Sequence, residues 1–73
     1  MAHLSPAEYD RLERAIDDGR RIAVTRRGRE LVVRPIRLYV EHGREIIEAV
    51  HPTTGDVVLV RVDDVDRVEV VAQ

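Results

Sequence analysis

Residues 20–35 read RRIAVTRRGRELVVRP. Ile22 and Val24 alternate with Arg21, Ala23 and Thr25, the period of two expected of a strand with one face toward a core. Arg26-Arg27-Gly28-Arg29 interrupts that alternation with a glycine placed to take positive φ, which predicts a hairpin turn. Leu31 and Val33 resume it on the return. Pro35 has no N–H to offer a neighbouring strand, so it predicts an interruption or an edge position. The stretch is thus an antiparallel hairpin that carries an unusual load of arginine.

Upstream the period changes. Ser5-Pro6-Ala7-Glu8 has the spacing of a capping box, in which the Ser5 hydroxyl accepts the Glu8 amide and Glu8 reaches back. Pro6 then takes the first helical position, where its missing N–H costs nothing. Leu4 and Tyr9 have the spacing of a hydrophobic staple around the cap. Tyr9, Leu12 and Ile16 recur at helical intervals, with Ala15 beside them, and Gly19 is placed to end the helix in a left-handed conformation. A helix over residues 5–18 follows.

Downstream, Ile36, Leu38 and Val40 make a third run that turns at Glu41-His42-Gly43. Residues 45–51 make a fourth, closed by Pro52-Thr53-Thr54-Gly55-Asp56. Val57 to Val62 form a fifth. Asp63-Asp64-Val65-Asp66 predicts a tight turn before a last strand, Arg67 to Val71. The expectation is one domain over residues 1–73, mainly β with one N-terminal α-helix, its strands within 20–71 bent into a small five- to six-stranded barrel. Closure would hide the edges that a flat sheet of this size exposes, and the helix stripe would plug one mouth. Residues 46–60 are apolar on both strand faces, more than a barrel interior needs. The surplus is either ordinary exposed valine or a contact surface.

A chain of 73 residues buries only about 60 % of its unfolded surface, and its stability margin is correspondingly thin. With no cysteine for a disulfide, close packing or self-association must supply the difference. No apolar run approaches the roughly 20 residues that span a membrane. Met1-Ala2-His3-Leu4 lacks the basic start and apolar stretch of a signal peptide. These features predict a cytoplasmic chain without a membrane partner.

The net charge of −2 hides a strong separation. From Arg20 to Arg37, seven arginines (Arg20, Arg21, Arg26, Arg27, Arg29, Arg34, Arg37) face Glu30 alone, a local charge of +6. Residues 1–19 carry −3 and residues 38–73 carry −5. A basic centre between acidic ends attracts a polyanion, or the acidic part of a second copy.

The order of helix, bent strands, short acidic turn and last strand resembles the SH3-like or Sm-like small barrels, and among them WYL-type domains. The matching pieces are Ala15-Ile16 with Arg20-Arg21-Ile22, Val33-Arg34-Pro35-Ile36-Arg37-Leu38, Gly43 to Ala49, and Val60-Arg61-Val62-Asp63-Asp64-Val65-Asp66-Arg67-Val68. The Trp-Tyr-Leu that names the WYL family would fall near Glu45-Ile46-Ile47 and is absent. The resemblance implies a ligand-sensing or nucleic-acid-binding barrel that uses basic residues.

Two readings of the seven arginines stand open. Guanidinium groups grip phosphate oxygens through bidentate, charge-assisted hydrogen bonds, so a convergent set would hold an RNA or DNA backbone or a small anion. Alternatively they form a solvated surface paired with the acidic helix, for example with Asp17 and Asp18. Without Phe or Trp, Tyr39 alone could stack a base, which argues against reading of sequence. His3, His42 and His51 are too scattered to enforce a zinc site, and Asp63, Asp64 and Asp66 lack the glycine and distal glutamate of a calcium loop. Ser5 is spent on the helix cap, and Gly28, Gly43 and Gly55 make no phosphate-cradling loop. The chain thus reads as a non-enzyme without cofactor or metal. It is either an anion-binding module or an interaction and self-assembly module, with a homo-oligomer compatible with both.

Overall fold

A computed structural model describes residues 3–71; the Met1-Ala2 start read above lies outside the described residues. The chain runs α1 (Pro6–Asp18), β1 (Ile22–Arg26), β2 (Arg29–Glu41), β3 (Arg44–Val50), β4 (Val57–Arg61), a 3-10 turn (Val62–Asp64) and β5 (Arg67–Val70). All strand pairs are antiparallel, and the order across the sheet is β4-β3-β2-β1-β5. The sheet is not closed. No ladder joins β4 to β5, so each is an edge strand, and the expected barrel closure is absent from the pairing among the described residues.

The helix starts and ends where the local chemistry puts it. Ser5 Oγ accepts the Glu8 amide at 3.2 Å, and Glu8 Oε1 accepts the Ser5 amide at 2.9 Å. The Ser5 amide and then its hydroxyl hold the Glu8 carboxyl below the ordinary range, because both bonds favour the ionised form. Gly19 caps the other end at φ 69°. The buried face is centred on Leu12 and Ala15, with Leu4 packed against the core, whereas Tyr9 and Ile16 are only half-buried.

Both long hairpins close with two residues at positive φ. Arg27 (51°) and Gly28 (76°) join β1 to β2; His42 (52°) and Gly43 (75°) join β2 to β3. That turn matches the right-handed twist of the strands it connects, and glycine at the second position carries one of the two left-handed conformations without strain.

The third run expected from the sequence is not a separate strand. Leu31, Val33 and Ile36 to Val40 all belong to β2, which is 13 residues long. Its first part pairs with β1 (Ile22↔Val33) and its second part with β3 (Leu38↔Ile47). The register shifts between Pro35 and Arg37, so Ile36 is the extra residue of a β-bulge. Pro35 is buried opposite Ala49 inside the central strand of the sheet, not on an edge. The bulge tolerates a residue that cannot donate to the ladder, and it bends the strand.

The bulge also resets the faces. Before it, odd-numbered Leu31 and Val33 share a face with Val24 and Ile22. After it, even-numbered Leu38 lies opposite core Ile47, while Arg37 and Tyr39 pair with Glu48 and Ile46 on the outer face. Were Ile36 an ordinary ladder residue, a strict alternation would turn Arg37 and Tyr39 inward. The core that results is Ile22, Val24, Val33, Ile47, Ala49, Val60, Val62 and Val65 against Leu12 and Ala15, and no described polar or charged residue is buried with it.

Inserting one alanine between Arg37 and Leu38 is therefore expected to abolish cooperative folding, because it inverts the faces of Leu38 to Glu41 against β3. Ile36→Ala, at a position 41 % exposed, should cost about 1 kcal/mol or less. Urea unfolding followed by circular dichroism separates the two; an insertion variant as stable as the parent would refute the fixed register given to the second half of β2.

Candidate anion-binding site beside the arginine hairpin

The β1–β2 hairpin is held at its tip from outside its own strands. Asp66 Oδ2 accepts the Arg27 amide at 2.9 Å, and the Asp66 amide donates to the Thr25 carbonyl at 2.8 Å. The link before β5 thus fixes a turn whose first residue is arginine in a left-handed conformation. The three aspartates expected to act as a turn have separate tasks. Asp63 pairs with Arg44 at 3.7 Å, Asp66 clamps the hairpin, and Asp64 lines the cleft described next.

Between the hairpin and β4 lies a cleft of about 380 Å³. Its floor is the inner sheet face that α1 leaves uncovered: Val24 and Leu31 from the hairpin, Val58 and Val60 from β4, and Val65. Arg26, Arg29 and Arg61 line it together with Glu30 and Asp64. Three guanidiniums against two carboxylates leave it positive. The side chains of Arg26, Arg27, Arg29 and Arg61 make no hydrogen bond or ion pair with another described residue. The solvated reading, in which the helix neutralises the arginines, holds for Arg20, whose Nε lies 3.9 Å from Asp18. The hairpin arginines Arg26, Arg27 and Arg29 are exposed to solvent and make no such pair with the helix.

The seven arginines do not converge. Arg26 and Arg29 share the cleft, with Arg27 at the turn between them. Arg20 and Arg21 lie between the helix end and β1. Arg34 is exposed, opposite Val50 and beside the end of α1. Arg37 is bound to Glu48 at 3.1 Å, with its guanidinium 4.4 Å from the centroid of the Tyr39 ring. That contact covers one face of the tyrosine expected to serve as a stacking platform, so a base stacking there must first displace a paired arginine. Arg61 was not among the expected residues. Its only local sign is its place after the Val57 to Val60 run, and its approach to the hairpin depends on how β4 is carried across the sheet.

Other sites are weaker. A larger groove of about 570 Å³ runs between α1 and β5, but its charges offset one another: Glu8 and Glu69 face Arg11 and Arg67, and Arg67 pairs with Glu69 at 3.2 Å. His3 lies 3.7 Å from Glu45 and His42 3.9 Å from Glu41. Among the described residues, no three His, Asp or Glu side chains come together as metal ligands. No described helix is long and apolar enough to cross a membrane.

No family model matches the chain, and neither a curated protein nor a solved structure matches it.

Asp66→Ala should release the hairpin tip. It removes a carboxylate acceptor from a backbone amide, and about 1 kcal/mol of stability should go with it. The Arg27 amide should exchange faster with deuterium while core amides such as that of Ile47 change only with global stability. Unaltered exchange at Arg27 would show that the clamp does not order the turn.

Proposed function

We propose that the chain is a non-catalytic binding module that contacts an anion through Arg26, Arg27 and Arg29, joined by Arg61. The single observation that carries this reading is that Arg26, Arg29 and Arg61 line one cleft, with Arg27 at the adjoining turn, and that none of their side chains is paired, although the chain holds more acids than bases. An unpaired arginine keeps its full donor fork for carboxylate or phosphate oxygens. The nucleic-acid form of the reading is contact with an RNA or DNA backbone, with little reading of bases, since Tyr39 is capped by Arg37. The order of helix, bent strands, 3-10 turn and last strand supports kinship with the SH3-like, Sm-like and WYL-type small barrels. In that setting Arg37 is held by Glu48 and Tyr39, and Arg20, Arg21 and Arg34 lie too far along the chain from the hairpin tip to be assigned to the same contact.

A second reading, self-assembly, draws on different features. Both edge strands lack a partner on one side, and Val57 and Leu59 on edge strand β4 are 66 % and 58 % exposed. An open edge with apolar side chains invites another strand. Sedimentation at tens of micromolar decides it: a homogeneous monomer removes this reading.

For the first reading, fluorescence anisotropy with a labelled mixed-sequence duplex and single strand at about 50 and 200 mM salt should show affinity falling about 100-fold for four phosphate contacts. Arg26→Ala with Arg27→Ala should weaken binding equally across sequences and lower the salt slope by about 2. A double variant that binds like the parent would remove the hairpin as the contact.

A further inference from the structure

We infer that the cleft beside the hairpin accepts a small amphipathic monoanion, a carboxylate carried on an aliphatic or aryl body. The inference rests on the anion-contacting role given to the hairpin arginines and names the chemistry that suits the rest of the same site. A phosphate backbone would use the guanidiniums and leave the floor unused. That floor consists of branched apolar side chains, Val24, Leu31, Val58, Val60 and Val65, with Leu31 39 % exposed although it belongs to the inner face. Inner-face side chains of a sheet are normally covered, but α1 packs against β2 and β5, and none of its residues lines the cleft. An apolar body laid on those residues would take the place of that cover.

Size and charge narrow the ligand further. About 380 Å³ falls within the range of small-molecule clefts and is too small for a folded partner. Glu30 and Asp64 line the cleft with Arg26, Arg29 and Arg61. These carboxylates repel a polyvalent anion at close range, whereas one negative charge matches the single excess guanidinium. A carboxylate offers the two coplanar oxygens that an arginine fork binds in a bidentate way. Nothing in the cleft acts as a nucleophile, so the ligand is bound without being altered.

The test is a titration of methyl-labelled protein, followed by NMR, with 2-naphthoate and with decanoate, and with 2-naphthalenemethanol as the neutral counterpart. Either carboxylate should saturate at or below about 1 mM, with shifts confined to Val24, Leu31, Val58, Leu59, Val60 and Val65. The alcohol should bind at least about tenfold more weakly, and Arg26→Ala with Arg29→Ala should cost a carboxylate about tenfold or more. Leu31→Trp should block both carboxylates, while duplex affinity in the anisotropy assay stays within about twofold, since the phosphate contacts use only the rim. Equal binding of alcohol and carboxylate, shifts spread outside the cleft, or full affinity in Leu31→Trp would each overturn the proposal. Naphthoate binding in the cleft with no duplex binding supports the inference and removes the backbone reading. Duplex binding through Arg26 and Arg27 with no carboxylate binding overturns the inference and leaves the backbone reading standing.

Discussion

The extra residue at Ile36 is the constraint on which the rest of the structure depends. A strand of thirteen residues has to serve two neighbours, β1 along its first part and β3 along its second. A strict alternation through that length would place Leu31 and Val33 on one face and Leu38 on the other. Leaving Ile36 out of the β3 ladder brings Val33 and Leu38 to the same core and turns Arg37 and Tyr39 out. Pro35, which has no N–H, sits where the ladder is already broken, so the bend and the missing hydrogen bond fall together. A core made of Ile, Val, Leu and Ala with no buried described charge follows from that single reset.

The bend also shapes the candidate site. Folding β2 over on itself carries β3 and β4 across to face the hairpin, and leaves a strip of inner face between Leu31 and Val60 that α1 does not reach. Arginines at the hairpin and at the end of β4 then meet over valine and leucine. Arg26, Arg27, Arg29 and Arg61 are among the arginines whose side chains stay unpaired, although the chain holds more acids than bases. Glu48 holds Arg37, Asp63 holds Arg44, Asp66 holds the Arg27 backbone amide, and Glu8 and Ser5 hold each other. Exposed pairs of this kind contribute little to stability.

Much of the fold was legible from consecutive residues, and the exceptions have a common cause. The capping box at Ser5 and Glu8, the left-handed Gly19 and the two-residue turns at Arg27-Gly28 and His42-Gly43 are local, because each depends on residues within a few positions. Pro35 was legible as a break, but the choice between ending a strand and bulging it is made by the partner strand, and Ala49 lies far along the chain. The two runs either side therefore read as two strands when they are one. Of the seven arginines marked by their density, Arg26 and Arg29 line the cleft, whereas Arg20 and Arg37 are ion-paired and Arg61 joins from β4. Density along a sequence measures charge per residue and carries no information about which acids fold back onto it.

By itself the sequence determined that there is one helix with these caps, that the rest is strands with turns at these glycines, and that positive charge gathers in the middle of the chain. Each of these follows from φ preferences, alternation and side-chain charge, which act over a few residues. Only the tertiary structure decided that the sheet stays open between β4 and β5, that Arg61 meets the hairpin, and that Tyr39 lies under Arg37. Those outcomes depend on register, and register is set by pairing between segments tens of residues apart, where a shift of one residue exchanges the buried and exposed faces.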